Sequence, residues 1–167
     1  KGAYAHKDTL SYLHNLENVV EVLWGFYEIS EDPLVSFGYE NCRAVIIQTI
    51  EGNNKSGLSH IFPDGLFCNQ YHLRCIIGSM INDLNREPKS LSALVVTRHP
   101  QYEIERILSD FGIKHQAYYQ LSSNSPNNYA GPHIGFGSMD IIVIPSPREV
   151  RVYGDRGKIL IRGTDQQ

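Results

Sequence analysis

The stretch from Ser36 to Pro63, SFGYENCRAVIIQTIEGNNKSGLSHIFP, carries one thiol, Cys42, and one imidazole, His60, eighteen residues apart. The two can serve as nucleophile and base, because a thiolate attacks carbonyl carbon and a neutral imidazole can take the thiol proton. Cys42 follows a turn containing Gly38 and opens an apolar run. The backbone N–H groups at Asn41 and Cys42 can then point toward the sulfur, where they favour the thiolate and can hold an oxyanion. The polar run Tyr39-Glu40-Asn41 leaves the mouth of this turn open to water. The plainer reading is a small buried hydrophobe and an incidental strand histidine, since free cysteine is among the most buried residue types. Spacing alone does not decide between them. A hairpin turning at Asn53-Asn54 puts His60 beside the middle of the Cys42 strand, and only a staggered register or a strand from a second sheet brings it to Cys42.

Periodicity gives the elements that must position this pair. After a short polar lead-in, ENVVEVLWGFYEIS sets Val20, Val22, Trp24 and Phe26 at period two, predicting one strand with one buried face. LVSFGY is a second strand, CRAVIIQTI from Cys42 a third, and LSHIF a fourth after the turn EGNNKSG. From Asn69 the period becomes helical, with Leu73, Ile76, Ile77, Met80, Ile81 and Leu84 on one stripe and Pro88 beyond the end. LSALVVT reads as a strand. PQYEIERILSDFG reads as a second helix, with Pro100 near its first turn and Gly112 as its C-cap. IKHQAYYQL, MDIIVIP, EVRVYG and KILIR complete the strands, and the Ser/Asn/Pro/Gly-rich loop SSNSPNNYAGPHIGFG separates the first of these from the rest. Hairpins at both ends argue for an α+β layered fold of mixed, largely antiparallel sheets, with a β-sandwich-like core flanked by two main helices.

The 167 residues fit one domain, 1–167, and a chain that begins without Met can be a piece of a longer protein. A net charge of −3 gives no electrostatic footprint for nucleic acid or an anionic bilayer. No apolar run approaches a membrane span, and the start lacks the apolar core of a signal peptide. Three cysteines, Cys42, Cys68 and Cys75, cannot all pair within the chain and match no zinc spacing, so a reducing, cytoplasmic setting is expected. Cys68 and Cys75 read as core or helix-face residues.

The segment NCRAVIIQTIEGNNKSGLSHIFP resembles the chemoreceptor glutamine deamidases, whose hallmark is a Gly-Ser-Cys-x-Ala-Val strand followed by a Gly-Leu-Ala-His strand. Cys42-Arg43-Ala44-Val45 and Gly57-Leu58-Ser59-His60 match these elements. ERILSDFGIKH and REVRVYGDRGKILIRG are similar to later parts of that family, so the likeness runs from about Val35 onward. The family shares its fold and Cys-His site with the catalytic domains of the cytotoxic necrotizing factors, toxins that deamidate host glutamines. The resemblance implies Cys42 as nucleophile, His60 as base, and Ser36 as the hydroxyl that orients the imidazole where the family has threonine. It also matches Gly38 to a family glycine. The family's Gly-Ser before the cysteine is Glu40-Asn41 here, and the His-to-Pro interval is one residue shorter, which favours a divergent substrate over a standard chemoreceptor, with lost activity as the alternative. Glu40 also places a negative charge near the thiol, which raises its pKa.

The expected reaction is deamidation of a protein glutamine through a thioester, with no metal or cofactor and with Asn41 and Cys42 N–H groups at the oxyanion. An amine in place of water would make the same site a transglutaminase. The alternative from another class is a non-catalytic module that uses this fold to bind a signalling partner. Tyr129 and His133, in the long loop, are the candidate substrate contacts, a protein presenting a glutamine is the expected partner, and a regulatory protein is a further one. The expected setting is bacterial cytosol, or host cytosol for a delivered effector.

Overall fold

The computed structural model describes residues 5–51, 54–65, 68–98, 102–120, 138–154 and 157–161. Among these residues, ten strands form two five-stranded sheets. The first takes β1 (Val20–Glu21), β3 (Leu34–Tyr39), β8 (Met139–Ile144), β9 (Glu149–Gly154) and β10 (Gly157–Ile161), in that order. The second takes β2 (Tyr27–Ser30), β5 (Ser56–Ser59), β4 (Ala44–Thr49), β6 (Leu91–Thr97) and β7 (His115–Gln120). Of the strand pairs among the described residues, β1–β3 and β6–β7 are parallel and the others antiparallel. The expected α+β layered architecture with mixed sheets is what the chain adopts.

Alternation along the central strands builds the layers. Ala44 and Ile46 of β4 face the first sheet, where they meet Leu34, Ile141, Val143 and Val152, while Val45 and Ile47 face the helices. A strand covered on both faces needs apolar residues at every position, which is what AVII supplies. Helix α2 (Gln70–Leu84) begins where the Asn69 side chain accepts the His72 N–H at 2.9 Å, and ends at Asn85 in the left-handed region, φ 53°. Its stripe of Leu73, Ile77, Met80, Ile81 and Leu84 packs with Ile104, Ile107 and Leu108 of α3 (Tyr102–Asp110) on the outer face of the second sheet. No helix of the described residues is long and apolar enough to cross a membrane.

Two expectations need correction. The residues before α2 hold a further helix, α1 (Lys7–Leu13), where the sequence reads as a polar lead-in. Tyr12, Leu13, Leu16 and Val19 cover the outer face of the first sheet, over Val35, Ile142, Ile144 and Tyr153. This burial sustains a helix with too few apolar positions to declare itself. The segment from Val19 to Ser30 is not one strand. It pairs with the first sheet at Val20–Glu21, crosses over, and joins the second sheet at Tyr27, which leaves Trp24 and Phe26 substantially exposed. Gly25 makes the crossing: its φ is +85°, and a Cβ there would sit 2.6 Å from the Phe62 ring.

Candidate active site

The ladder between β4 and β5 sets the geometry. Ile46 pairs with Leu58, Ile47 with Gly57 and Gln48 with Ser56, and beyond the strands Arg43 bridges Ile61 in the same register. That register sets His60 opposite Ala44 and Cys42 opposite Phe62. The hairpin expected from the sequence put His60 at the middle of the strand; the observed stagger brings it to the first residue instead. Cys42, Ala44, Leu58 and His60 then share the face turned toward the first sheet. Cys42 and His60 are diagonal neighbours on it, a relation that spaces backbone positions by about 7–8 Å. No hydrogen bond joins them among the described residues, and His60 Nε2 is buried without a partner.

Ser36 reaches the same point from the opposite sheet. Its Oγ donates to the Val22 carbonyl at 2.7 Å and lies 2.8 Å from His60 Nδ1. A hydroxyl has one proton, and Val22 receives it, so the proton on the second bond belongs to Nδ1. The imidazole is therefore the Nδ1–H tautomer, with the lone pair of Nε2 left for a proton-transfer partner. The His60 backbone is held as well, its N–H donating to Phe26 and its carbonyl accepting from Gly25.

Tyr39 was not among the expected site residues, yet its ring stacks on His60 with centroids 3.7 Å apart and planes 10° from parallel. Its hydroxyl donates to the Ser59 carbonyl at 2.8 Å. Strict alternation puts Ser36 and Gly38 on one face and Tyr39 on the other. A bulge between Ser36 and Tyr39, opposite Met139–Ile141, adds one residue and turns both side chains toward His60. Gly38 carries the bulge at φ +77°. Its N–H donates to Asp140 Oδ1 at 3.1 Å, and the other oxygen of this buried carboxylate accepts from His6 N–H and Thr9 Oγ, each at 2.7 Å. Gly38 is thus a backbone hinge whose N–H is already used. The N–H groups of Asn41 and Cys42 have no hydrogen bond among the described residues, which leaves them able to meet an oxyanion.

Cys42 is half-buried at a pocket of about 300 Å³ walled by Trp24, Phe62 and Pro63 and rimmed by Glu40, Asn41 and Ser138. Neither Trp24 nor Phe62 was among the expected site residues; the crossover at Gly25 brings Trp24 there, and the register that sets Phe62 opposite Cys42 brings the other ring. Burial pushes the thiol above its ordinary range, Arg43 opposes the rise and Glu40 adds to it. Burial pushes His60 down to about 3. Both groups are accordingly neutral at rest, thiol and imidazole, and not the thiolate that directed backbone donors were expected to favour. Arg43 turns the opposite way, fully buried, with Nη1 on Asp64 at 2.8 Å and Nη2 on the Phe62 carbonyl at 2.6 Å. Tyr129 and His133 lie outside the described residues.

No family model and no curated protein matches the chain. The architecture does recur in a solved structure, the Neisseria meningitidis protein NMB0706 of family model DUF152. The two align with a TM-score of 0.51 over 81% of this chain and 78% of that one, at 11% identity. Such a likeness defines a shared fold and nothing finer. It corrects the family reading: the structural relative belongs to DUF152, and the likeness to chemoreceptor deamidases and necrotizing-factor toxins does not hold. The short matches have a physical origin. Cys-x-Ala-Val and Gly-Leu-x-His alternate small or apolar residues as two adjacent strands between a sheet and a helix layer require, so they report the sandwich more than the family.

Proposed function

We propose that the protein is a cysteine-dependent hydrolase of carboxamide C–N bonds, acting on a glutamine side chain of a protein substrate. The observation that carries this reading is the oriented imidazole: Ser36 fixes Nδ1–H, and Nε2 is left buried and unpartnered on the face it shares with Cys42. An incidental strand histidine has no need of such an arrangement, because a buried polar atom without a partner costs about 1–3 kcal/mol.

In the proposed mechanism Nε2 takes the Cys42 proton as sulfur attacks the carboxamide carbon. The N–H groups of Asn41 and Cys42 receive the oxyanion. Collapse of the tetrahedral species breaks the C–N bond as the imidazolium returns its proton to the departing nitrogen, releasing ammonia and leaving a thioester. Water, deprotonated by Nε2, then cleaves the thioester to glutamate and the free thiol. Both groups start neutral, so proton transfer accompanies attack and no resting ion pair is needed. An amine taking the place of water would make the outcome transglutamination. All three cysteines are free, and a thiol nucleophile persists where the surroundings are reducing, which points to a cytosol, bacterial or that of a host cell.

The absence of a Cys42–His60 hydrogen bond favours a second reading, a non-catalytic module that binds a protein partner through the same pocket. Incubation of candidate protein substrates with wild type, Cys42→Ala and His60→Ala separates the two. Hydrolysis predicts ammonia release and a gain of about one dalton per converted glutamine with wild type alone, His60→Ala losing at least about 100-fold. Equal behaviour of all three proteins would leave the binding module.

A further inference from the structure

Among the described residues lining the Cys42 pocket, Glu40 is the only ionisable side chain besides the thiol, and none of them is a lysine, arginine or histidine. The nearby cation, Arg43, is turned away and committed to Asp64, Phe62 and Cys68. The same pocket has aromatic walls, Trp24 and Phe62. The indole N–H of Trp24 is already given to the Phe37 carbonyl at 2.8 Å, so what Trp24 offers a ligand is ring surface. A carboxylate and an aromatic surface in one small pocket make the environment that recognises an ammonium or guanidinium group, by ion pairing and by attraction to the ring face.

We infer that Glu40 and Trp24 form a cation-selecting subsite beside Cys42, so that the favoured substrate carries a lysine or arginine next to the reacting carboxamide. This rests on the hydrolase reading for its substrate, but the subsite's charge preference is a property of the pocket itself. Glu40 therefore has two effects: its charge adds to the burial that keeps the free thiol protonated, and a bound cation cancels part of that field just when the thiol must ionise. A substrate with the complementary charge then improves the nucleophile it meets. An acidic neighbour on the substrate would do the reverse.

The test uses the intact chain in a Cys75→Ala background, with Cys42 modification read by peptide mass spectrometry. Three methanethiosulfonate reagents are compared: one bearing trimethylammonium, one bearing sulfonate, and the uncharged methyl parent. With rates normalised to the uncharged reagent, the cationic probe should outrun the anionic one by about tenfold at low salt, the size expected for a nearby unit charge at a partly exposed site. Glu40→Gln should bring the ratio to about one, and Glu40→Lys, which keeps a long charged side chain there, should invert it. A wild-type ratio near one, or a ratio unmoved by Glu40→Gln, overturns the subsite. Glutamine peptides flanked by lysine or by glutamate supply the second arm. Ammonia release that ignores the flanking charge overturns the inference and leaves the hydrolase standing. Charge-selective labelling without ammonia release from any peptide or protein sustains the subsite and removes the hydrolase.

Discussion

Ser36 Oγ stands 2.8 Å from His60 Nδ1 while giving its own proton to the Val22 carbonyl, so a serine of one sheet fixes the tautomer of a histidine in the other. Ser36→Ala removes the acceptor and frees the ring to carry its proton on either nitrogen. A hydrogen bond of this kind contributes about 1–1.5 kcal/mol, so turnover should fall about tenfold, and Ser36→Thr should restore most of it. The decisive readout is kcat at constant KM, together with the 15N shifts that report the tautomer. A Ser36→Ala protein that keeps the Nδ1–H form would show that the hydroxyl does not set it.

Gly38 makes the second prediction. At φ +77° an added Cβ meets backbone strain, and it would lie 3.3 Å from Trp24 Cζ2. Gly38→Ala should destabilise the protein by about 1–2 kcal/mol in urea unfolding. It should also shift the emission of Trp24, the single tryptophan, because relaxing the bulge moves the pocket wall. A change in stability with unchanged emission would mean that the strain is absorbed away from the pocket.

The layered class was legible because alternation and helical stripes are strong where burial is two-sided, as in AVIIQT and LSALVVT. What misled was punctuation. Val20, Val22, Trp24 and Phe26 kept period two through a segment that changes sheets at Gly25, since a crossing leaves the alternation of its flanks intact. Cys42, His60 and Ser36 could be named as candidates, whereas their meeting depends on a register that a turn at Asn53-Asn54 does not give. Tyr39 was hidden by the Gly38 bulge, which reverses the face on which alternation places it. Its one sequence signal is a glycine inside an otherwise regular strand.

Alkylation of Cys42 tests whether the resting pair is neutral. Burial and Glu40 raise the thiol pKa, so the iodoacetamide rate should climb through a single step above pH 9, the ordinary value for a thiol, with no plateau near neutrality. Glu40→Gln should move the step to lower pH. His60→Ala should leave it in place, because no hydrogen bond links the ring to the sulfur before substrate arrives. A neutral-pH plateau lost in His60→Ala would reveal a preformed thiolate–imidazolium pair.

Acid stability follows from the burial of His60. Its folded-state pKa is pushed from 6.5 down to about 3, so the unfolded chain takes up a proton that the folded chain refuses between these values. Above pH 6.5 the ring is neutral in both states and contributes no pH dependence. As pH falls from 6.5 toward 3 the unfolded state gains protons first, and stability must drop; below about 3 both states are protonated and the loss is complete. Each pH step across this window removes about 1.4 kcal/mol, so the full loss amounts to a few kcal/mol. The urea midpoint of wild type should therefore decline across this window more steeply than that of His60→Phe, which keeps a ring against Tyr39 and cannot ionise. The His60 Cε1 proton resonance should stay flat from pH 8 to about 4. A resonance that titrates near 6.5, with parallel stability curves for the two proteins, would mean that water reaches Nε2 freely and that the ring is solvated.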